Sequence, residues 1–294
     1  MSRNIEVLME GRSFLEGPRW HGGRLYVSDF FAHEVLSLEP GGPPEVVCEV
    51  PAQPSGLGFD AEGRLLVVSM LDRRLLRLDD GELAAVGRLD ALARFPANDL
   101  VVDARGRAYV GNFGWEYGAE PEIRATDLIR IDPDGTTVVA AEDVIFPNGC
   151  VITPDGRTLL LSETFAGRVT AFDVAEDGSL SNRRVWADLA PSTSWTTVPQ
   201  AVESGLPLPD GLALDEDHAL WMGHAAGSGA LRVAEGGEIL EVVPTGDLAV
   251  YAVAVGGADR RTLFMCASPP LLQSDPSVDH RASLLATRVD VAGI

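Results

Sequence analysis

The chain has 294 residues, of which 46% are hydrophobic, and its 44 acidic and 23 basic side chains give a formal charge of −21. This charge repels phosphate backbones and anionic lipids, so we expect neither a nucleic-acid nor a membrane partner, whereas a bound cation is compatible with it. No apolar run approaches the roughly 18 residues of a transmembrane helix, and the N-terminus lacks the basic region and apolar core of a signal peptide.

A sequence pattern typical of two strands joined by a turn recurs six times along the chain. In the first five repeat units a second pair of strand-like runs follows it. Asp-Gly and Gly-Gly turns between short strands are typical of hairpins, because these residues tolerate positive φ. Four short strands per unit, at a period of about 40 to 60 residues, predict an all-β fold, a six-bladed β-propeller. The unbroken repeat predicts one domain over residues 1–294. The six copies open at Glu16, Ser55, Asn98, Asn148, Asp210 and Tyr251.

The sixth unit is one strand short, since only one clear run, Ser283–Val291, follows its second strand. An open ring would leave a row of unpaired backbone groups at its last edge. The spare strand is at the other end of the chain, where Asn4–Glu10 precedes the first copy. We therefore expect a propeller that is closed by an N-terminal strand pairing into the last blade.

Four of the opening residues are carboxylates or amides. Equivalent positions of different blades point toward one level of the channel, so these four side chains should converge there. Oxygen donors with a formal charge of −2 suit a hard divalent cation, Ca²⁺ first and then Mg²⁺ or Mn²⁺, whereas Zn²⁺ would lack its usual His or Cys ligands. The alternative is that each side chain caps its own strand, which four residues at one repeat position disfavour. The four are Glu16, Asn98, Asn148 and Asp210.

Five short motifs are distributed over nearly the whole chain. They read EGPRW at Glu16–Trp20, ND at Asn98–Asp99, PNG at Pro147–Gly149, LSNRR at Leu180–Arg184 and PDG at Pro209–Gly211. Together they resemble the SMP-30/gluconolactonase/luciferin-regenerating-enzyme (LRE)-like family. The resemblance implies a propeller with one divalent cation in the channel mouth, held by the four residues that the repeat also selects. It further implies hydrolysis of lactones, commonly of sugar acids, or of other esters.

The resemblance also implies a mechanism. A metal-activated water attacks the ester carbonyl, and Asp210 serves as ligand and as general base toward that water. Two other functions stay open. One is a non-catalytic propeller that binds a small molecule or acts as a scaffold around a structural cation. The other is a metal-independent enzyme similar to strictosidine synthase, which the two Asn residues of the predicted centre argue against.

The predicted surroundings of this centre depart from the sugar-lactonase pattern. The resemblance implies an Arg that contacts the sugar two residues before Asn98, but this chain has Pro96, which has no donor. Glu116 stands at the spacing of a substrate-contacting Glu, so part of the polar contact is retained. We expect a more apolar pocket than that of a gluconolactonase.

Two insertions interrupt the repeat, at residues 112–126 and 190–208. Long insertions in a compact repeat fold are typically functional loops over one face, so we expect both to rim the site. They would bring Trp115 and Trp195 over it, and one helical turn is predicted in the second. His224 follows an apolar strand and is a candidate acid or base. For these three side chains the alternative is packing within or between blades.

Asp29 and Glu163 each follow the second strand of their copy, and we interpret them as turn residues rather than as supports of the metal centre. The three cysteines, Cys48, Cys150 and Cys266, are far apart in sequence and odd in number. They predict reduced thiols and a cytoplasmic protein. We expect a monomer or a small homo-oligomer.

Overall fold

The computed structural model describes residues 3–115, 122–191 and 195–294. Within these ranges, 24 strands form six antiparallel sheets of four strands each. The innermost strand of each sheet contacts the innermost strands of the sheets before and after it, and the last contacts the first. The sheets therefore form a closed ring, and the predicted six-bladed propeller is confirmed.

The chain begins with β1 (Glu6–Arg12), which belongs to the last blade. Blades 1 to 3 follow in sequence, each numbered from its innermost strand outward. Blade 1 contains β2 (Leu15–His21), β3 (Arg24–Asp29), β4 (Glu34–Leu38) and β5 (Glu45–Glu49); blade 2 contains β6 (Pro54–Phe59), β7 (Leu65–Ser69), β8 (Arg74–Asp79) and β9 (Glu82–Arg88); blade 3 contains β10 (Ala97–Val102), β11 (Ala108–Asn112), β12 (Ala125–Ile131) and β13 (Thr137–Ile145).

Blades 4 to 6 repeat the same order. Blade 4 contains β14 (Pro147–Ile152), β15 (Thr158–Glu163), β16 (Arg168–Val174) and β17 (Leu180–Asp188); blade 5 contains β18 (Pro209–Leu214), β19 (Leu220–His224), β20 (Ala230–Val233) and β21 (Ile239–Val243); blade 6 contains β22 (Ala249–Gly256), β23 (Thr262–Ser268), β24 (Ala282–Arg288) and finally β1.

The N-terminal strand closes the ring as predicted. β1 pairs antiparallel with β24 and is the outermost strand of blade 6, with Val7 opposite Leu285. Met9 is buried in the core between blades 6 and 1, where it belongs to the same apolar cluster as Phe264 and Leu284. The strand β1 is thus part of the last blade in both hydrogen bonding and packing.

Aspartates hold several of the turns between the first two strands of a blade. Between β10 and β11, Asp103 accepts hydrogen bonds from the backbone N–H groups of Arg105 and Arg107, both at 2.9 Å. Gly106 in this turn has a φ of 78°, which glycine adopts without steric cost. Asp60 and Asp215 make the same pair of contacts in blades 2 and 5. Three of the acidic side chains that give the protein its negative charge therefore stabilise turns.

Among the described residues, two short helices and one 3₁₀ turn stand outside the sheets. They are α1 (Val198–Glu203), α2 (Pro276–Asp279) and Thr164–Ala166. α1 lies where a helical turn was predicted, and Thr197 and Gln200 cap it by exchanging side-chain to backbone hydrogen bonds. In the described part of the chain, no helix has the length and apolar character needed to cross a membrane.

Candidate metal centre and substrate cavity

Four of the predicted residues meet at one end of the channel. Each is the second residue of an innermost strand, and every blade repeats the same strand order, so the ring brings the four positions to one level. All are buried, with 4% to 9% of their surface exposed, and all line one cavity of about 290 Å³. We call them the oxygen ring: Glu16, Asn98, Asn148 and Asp210.

The close approach of the innermost strands requires glycine beside the oxygen ring. A Cβ added at Gly149 would lie 2.5 Å from the carbonyl oxygen of Asp210, which is well inside contact distance. At Gly56 an added Cβ would lie 2.5 Å from the backbone nitrogen of Leu100. Larger residues would push the blades apart at the level where the four side chains converge.

The two amides are linked to each other. Asn98 Nδ2 donates to Asn148 Oδ1 at 3.0 Å, and Asn148 Nδ2 donates to Thr164 Oγ1 at 3.2 Å. Ser55, which stands at the same position in blade 2, donates to Asn98 Oδ1 at 3.4 Å. These contacts fix the orientation of both amides.

The two carboxylates of the oxygen ring accept few hydrogen bonds that would stabilise their negative charge. Glu16 accepts a hydrogen bond from the backbone of Gly17 at 3.1 Å, but Asp210 Oδ1 is buried and has no hydrogen-bond partner among the described residues. Burial, and then the nearby Asp99 carboxylate, raises the pKa of Glu16 to about 8. Burial, followed by the charges of Glu16 and Asp99, raises the pKa of Asp210 well above its ordinary value. Arg19, which pairs with Asp99 at 2.9 Å, lowers the pKa of Glu16 by less than burial and Asp99 raise it.

This arrangement fits a divalent cation. An orphaned, buried carboxylate oxygen and two buried carboxylates with raised pKa values indicate a site that needs a positive charge. The donors are all oxygens, which suits Ca²⁺ and similar hard ions. Among the described residues, no cluster of three His, Cys, Asp or Glu side chains could hold a metal, so the centre depends on its two amides.

Above the oxygen ring the cavity wall is aromatic. Six of the rings that line it are Phe14, Phe30, Phe113, Phe146, Phe165 and Tyr251. They belong to one cluster that also includes Val198 of α1, and all but Phe146 are buried. Sequence reasoning missed most of this wall, because five of its residues come from the segments between strands of several blades and Tyr251 comes from β22.

The predicted substrate contacts differ in where they lie. Trp115 lines the cavity and stacks on Phe146 at 4.8 Å between ring centroids. Trp195 packs against the aromatic cluster from outside the cavity wall, and its Nε1 donates to the carbonyl oxygen of Phe165 at 2.5 Å. Glu116 lies outside the described residues.

Pro96 and His224 are both described by the structure, but neither lines the cavity. Pro96 is buried directly before β10, and its carbonyl oxygen accepts a hydrogen bond from Phe113. His224 ends β19, and its Nδ1 accepts a hydrogen bond from the backbone of Leu208 at 3.5 Å. Burial lowers the pKa of His224 to about 4, which keeps the imidazole neutral.

The interpretation of Asp29 and Glu163 as turn residues is wrong. They are the last residues of β3 and β15, and neither is exposed to solvent. Asp29 accepts a hydrogen bond from the backbone of Phe14 at 3.2 Å, and Glu163 accepts one from the backbone of Ile145 at 2.8 Å. Each carboxylate therefore fixes the segment that leads into an oxygen-ring strand.

Blade 6 places Tyr251 at the level of the oxygen ring, as the repeat predicted. A Cβ added at Gly149 would meet Gly211, and one added at Gly211 would meet Ala252, so Ala252 follows the ring position of blade 6 and Tyr251 occupies it. The Tyr251 side chain lines the cavity, whereas Val250 is fully buried in the core between blades. Blade 6 thus contributes an aromatic ring to the cavity.

Comparison with known proteins identifies the family. Residues 14–268 match the sequence profile of the SMP-30/Gluconolactonase/LRE-like region. The chain belongs to this family. A 6-deoxy-6-sulfogluconolactonase of Pseudomonas putida is 27% identical over 307 residues, covering 100% of this chain and 97% of the relative. The pentonolactonase XacC of Haloferax volcanii is 29% identical over 260 residues, covering 85% and 80%.

A solved structure supports the fold assignment of this SMP-30/gluconolactonase/LRE-like chain. The crystal structure of a calcium-binding protein, regucalcin, from Agrobacterium tumefaciens aligns with a TM-score of 0.81 at 18% sequence identity. The alignment covers 100% of this chain and 96% of the other. The two proteins therefore share the fold over their whole described length.

Proposed function

We propose that this protein is a metal-dependent hydrolase of lactones or related esters, with one divalent cation, Ca²⁺ first, held by the oxygen ring. The observation that carries the proposal is the ring itself: four buried oxygen side chains at one level, including the orphaned Oδ1 of Asp210. The lactonase names of two relatives support the reaction, and the calcium-binding neighbour supports the choice of ion.

The residues of the oxygen ring and the aromatic wall have separate roles in binding and in proton transfer. When a divalent cation is bound, it supplies polarisation of the substrate carbonyl and stabilisation of the negative charge that develops there. Asp210 accepts a proton from the water that attacks the carbonyl carbon, and the ring C–O bond breaks to give a carboxylate and a hydroxyl. Asn98 and Asn148 hold their oxygens in place through their mutual hydrogen bond. The aromatic wall keeps bulk water away from the reacting atoms.

The test measures proton release at constant pH on sugar lactones, apolar lactones and aryl esters. Chelator-stripped protein is compared with protein reloaded with Ca²⁺, Mg²⁺, Mn²⁺ or Zn²⁺. We expect activity to require a cation and Asp210→Ala to abolish it while the fold is retained. Asp173→Ala, at a half-exposed aspartate that does not line the cavity, should keep the cation-dependent activity. Hydrolysis that survives stripping, or that is unchanged in Asp210→Ala, would overturn the proposal. Cation binding without turnover of any substrate would favour a non-catalytic binding propeller.

The proposal extends to the organisation of the protein. Residues 1–294 form one domain, which acts in the cytoplasm as a monomer or a small homo-oligomer. The continuous repeat supports the first statement, and three cysteines in the free form support the second: Cys48, Cys150 and Cys266. Its substrate is a small-molecule lactone or ester.

A further inference from the structure

The aromatic residues of the cavity form two groups on opposite sides of the channel. The first aromatic wall is built by blades 1 and 6 and consists of Phe14, Phe30 and Tyr251. The second aromatic wall is built by blades 3 and 4 and consists of Phe113, Trp115, Phe146 and Phe165. In a ring of six blades, the boundary between blades 6 and 1 lies opposite the boundary between blades 3 and 4. The cavity is therefore a slot between two aromatic surfaces.

Contacts within each wall hold its rings in place. In the first wall, the Phe14 ring lies 5.4 Å from that of Phe30 and 4.8 Å from that of Tyr251, centroid to centroid. In the second wall, Trp115 and Phe146 stack at an interplanar angle of 15°. Aromatic pairs at these separations attract each other, so the walls are organised before a ligand arrives.

The slot offers few hydrogen-bond partners to a substrate. Among the described residues that line it, there is no Lys, Arg, His or Gln, and outside the oxygen ring the aliphatic hydroxyl is that of Thr164. That hydroxyl already accepts from Asn148, and the hydroxyl of Tyr251 donates to the carbonyl oxygen of Pro269 at 3.0 Å. Sugar hydroxyls placed against the two aromatic walls would lose their bonds to water and find no replacement among the described wall residues, which is unfavourable.

We propose that the preferred substrate is a lactone that bears, or is fused to, an aromatic ring and that lacks the hydroxyls of a sugar lactone. Its aryl group lies between the two aromatic walls, and its carbonyl faces the oxygen ring. A cavity of about 290 Å³ lies just below the usual range for small-molecule sites, roughly 300 to 1,000 Å³, which indicates a compact ligand. This inference rests on the proposed lactone hydrolysis and specifies its substrate class.

The reaction balances without a further reactant. Water adds its hydroxyl to the carbonyl carbon, the ring C–O bond breaks, and the released alkoxide or phenoxide oxygen takes up a proton. The product is an aryl-substituted hydroxy acid, which ionises to its carboxylate at neutral pH. The aryl group takes no part in the bond changes, so the two walls act on binding and orientation.

A matched pair of substrates tests the aromatic preference directly. 6-Phenyl-δ-valerolactone and 6-cyclohexyl-δ-valerolactone share their ring and differ in the aromaticity of the substituent; glucono-δ-lactone is the polyol reference. Each kcat/KM is divided by the rate of hydroxide-catalysed opening of the same lactone. We expect the phenyl lactone to exceed the cyclohexyl lactone about fivefold and the gluconolactone about 100-fold. Equal values for phenyl and cyclohexyl, or a preference for gluconolactone, would overturn the proposal.

A binding measurement separates this inference from the hydrolysis on which it rests. The lactams 6-phenylpiperidin-2-one and 6-cyclohexylpiperidin-2-one replace the ester oxygen by N–H, and their binding is followed by calorimetry without turnover. Tighter binding of the phenyl lactam supports the aryl slot even if no lactone is hydrolysed, in which case the proposed function fails alone. Equal binding of both lactams overturns the slot even if lactones are turned over.

A pair of tryptophans provides matched variants for this assay. Trp115 and Trp20 are both half-buried and stacked on a phenylalanine, but Trp20 lies near the other end of its strand, against Phe264. Trp115→Leu should weaken phenyl-lactam binding about fivefold, and Trp20→Leu should leave it unchanged. Phe14→Leu tests the opposite wall if Trp115→Leu does not fold. Identical affinities in the wild type and both wall variants would overturn the proposal.

Discussion

Two buried carboxylates of this chain differ in their partners, and the difference separates a ligand from a structural residue. Asp210 has an oxygen without a partner among the described residues, and its pKa is raised. Burial also favours a raised pKa for Glu163, but hydrogen bonds from Arg168 and Thr170 outweigh it, and the pKa is lowered. A carboxylate that the fold satisfies contributes to stability, whereas one that the fold leaves unsatisfied favours an external cation.

Glu163→Gln should destabilise the protein by about 2 kcal/mol at pH 7, because Arg168 and Arg183 lose a charged partner. The folded pKa lies below the ordinary value of 4.5, so the contribution of Glu163 is complete above pH 4.5 and is lost as the pH falls through the folded pKa. The difference between wild type and variant should therefore shrink below pH 4.5. Urea unfolding of both proteins at a series of pH values measures it.

Asp173→Asn provides the control on the same blade, because Asp173 also accepts from an arginine but is 46% exposed at its side chain. Its unfolding curve should lie close to that of the wild type at every pH. A Glu163→Gln difference that stayed constant down to pH 3 would contradict the assigned ionisation of Glu163.

At the scale of the strand, two consecutive residues near the start of an innermost strand have different roles. The first contributes its side-chain oxygen to the oxygen ring, and the second, a glycine, allows the neighbouring blade to approach. In blade 4 these residues are Asn148 and Gly149, and in blade 5 they are Asp210 and Gly211. The Cβ that Gly149 lacks would lie 2.5 Å from the Asp210 carbonyl oxygen. The spacing of the oxygen ring therefore depends on the glycine that follows three of its four members, since only Asn98 is followed by another residue, an aspartate.

Gly149→Ala should destabilise the protein by about 1 to 3 kcal/mol, since the added methyl group has no room between β14 and β18. The variant should also bind a cation more weakly, because Asn148 and Asp210 move apart. Gly42→Ala is the control, since its added Cβ would lie 3.5 Å from the nearest atom, an ordinary contact. Thermal melts with and without Ca²⁺ compare the two. A Gly149→Ala protein with wild-type stability and an unchanged Ca²⁺-induced shift would show that the strands tolerate more separation.

The features that the sequence predicted are those that depend on the local pattern of the strands. Strand repeats and turn residues are local signals, so they predicted six blades, the N-terminal closure and the four residues of the oxygen ring. Most of the two aromatic walls was not predicted, because their rings are distant in sequence from the rings they contact. Phe14 meets Tyr251 of the neighbouring blade 6, and Phe146 meets Trp115 of the neighbouring blade 3.

At the scale of the whole molecule, the two ends of the innermost strands carry different chemistry. Aspartates and glycines form the turns at one end, as at Asp103 and Gly106, while the oxygen ring and its aromatic walls occupy the other. The ring of blades holds both ends in register, so the geometry of the centre depends on closure of the propeller. Closure in turn depends on β1, the part of the last blade that comes from the other end of the chain.

The N-terminal strand offers a test of closure, because its two faces differ. Met9 is 6% exposed and packs in the core between blades 6 and 1, whereas Val7 on the same strand is 54% exposed. Met9→Ala should lower the free energy of unfolding by about 2 to 4 kcal/mol through the cavity it creates, and Val7→Ala should change it by less than about 0.5 kcal/mol. Because the ring closes through this strand, Met9→Ala should also reduce the Ca²⁺ affinity of the distant oxygen ring. Urea unfolding and calcium titration measure the two effects. Similar small losses in both variants would mean that β1 is only loosely attached, and that the ring keeps its geometry without it.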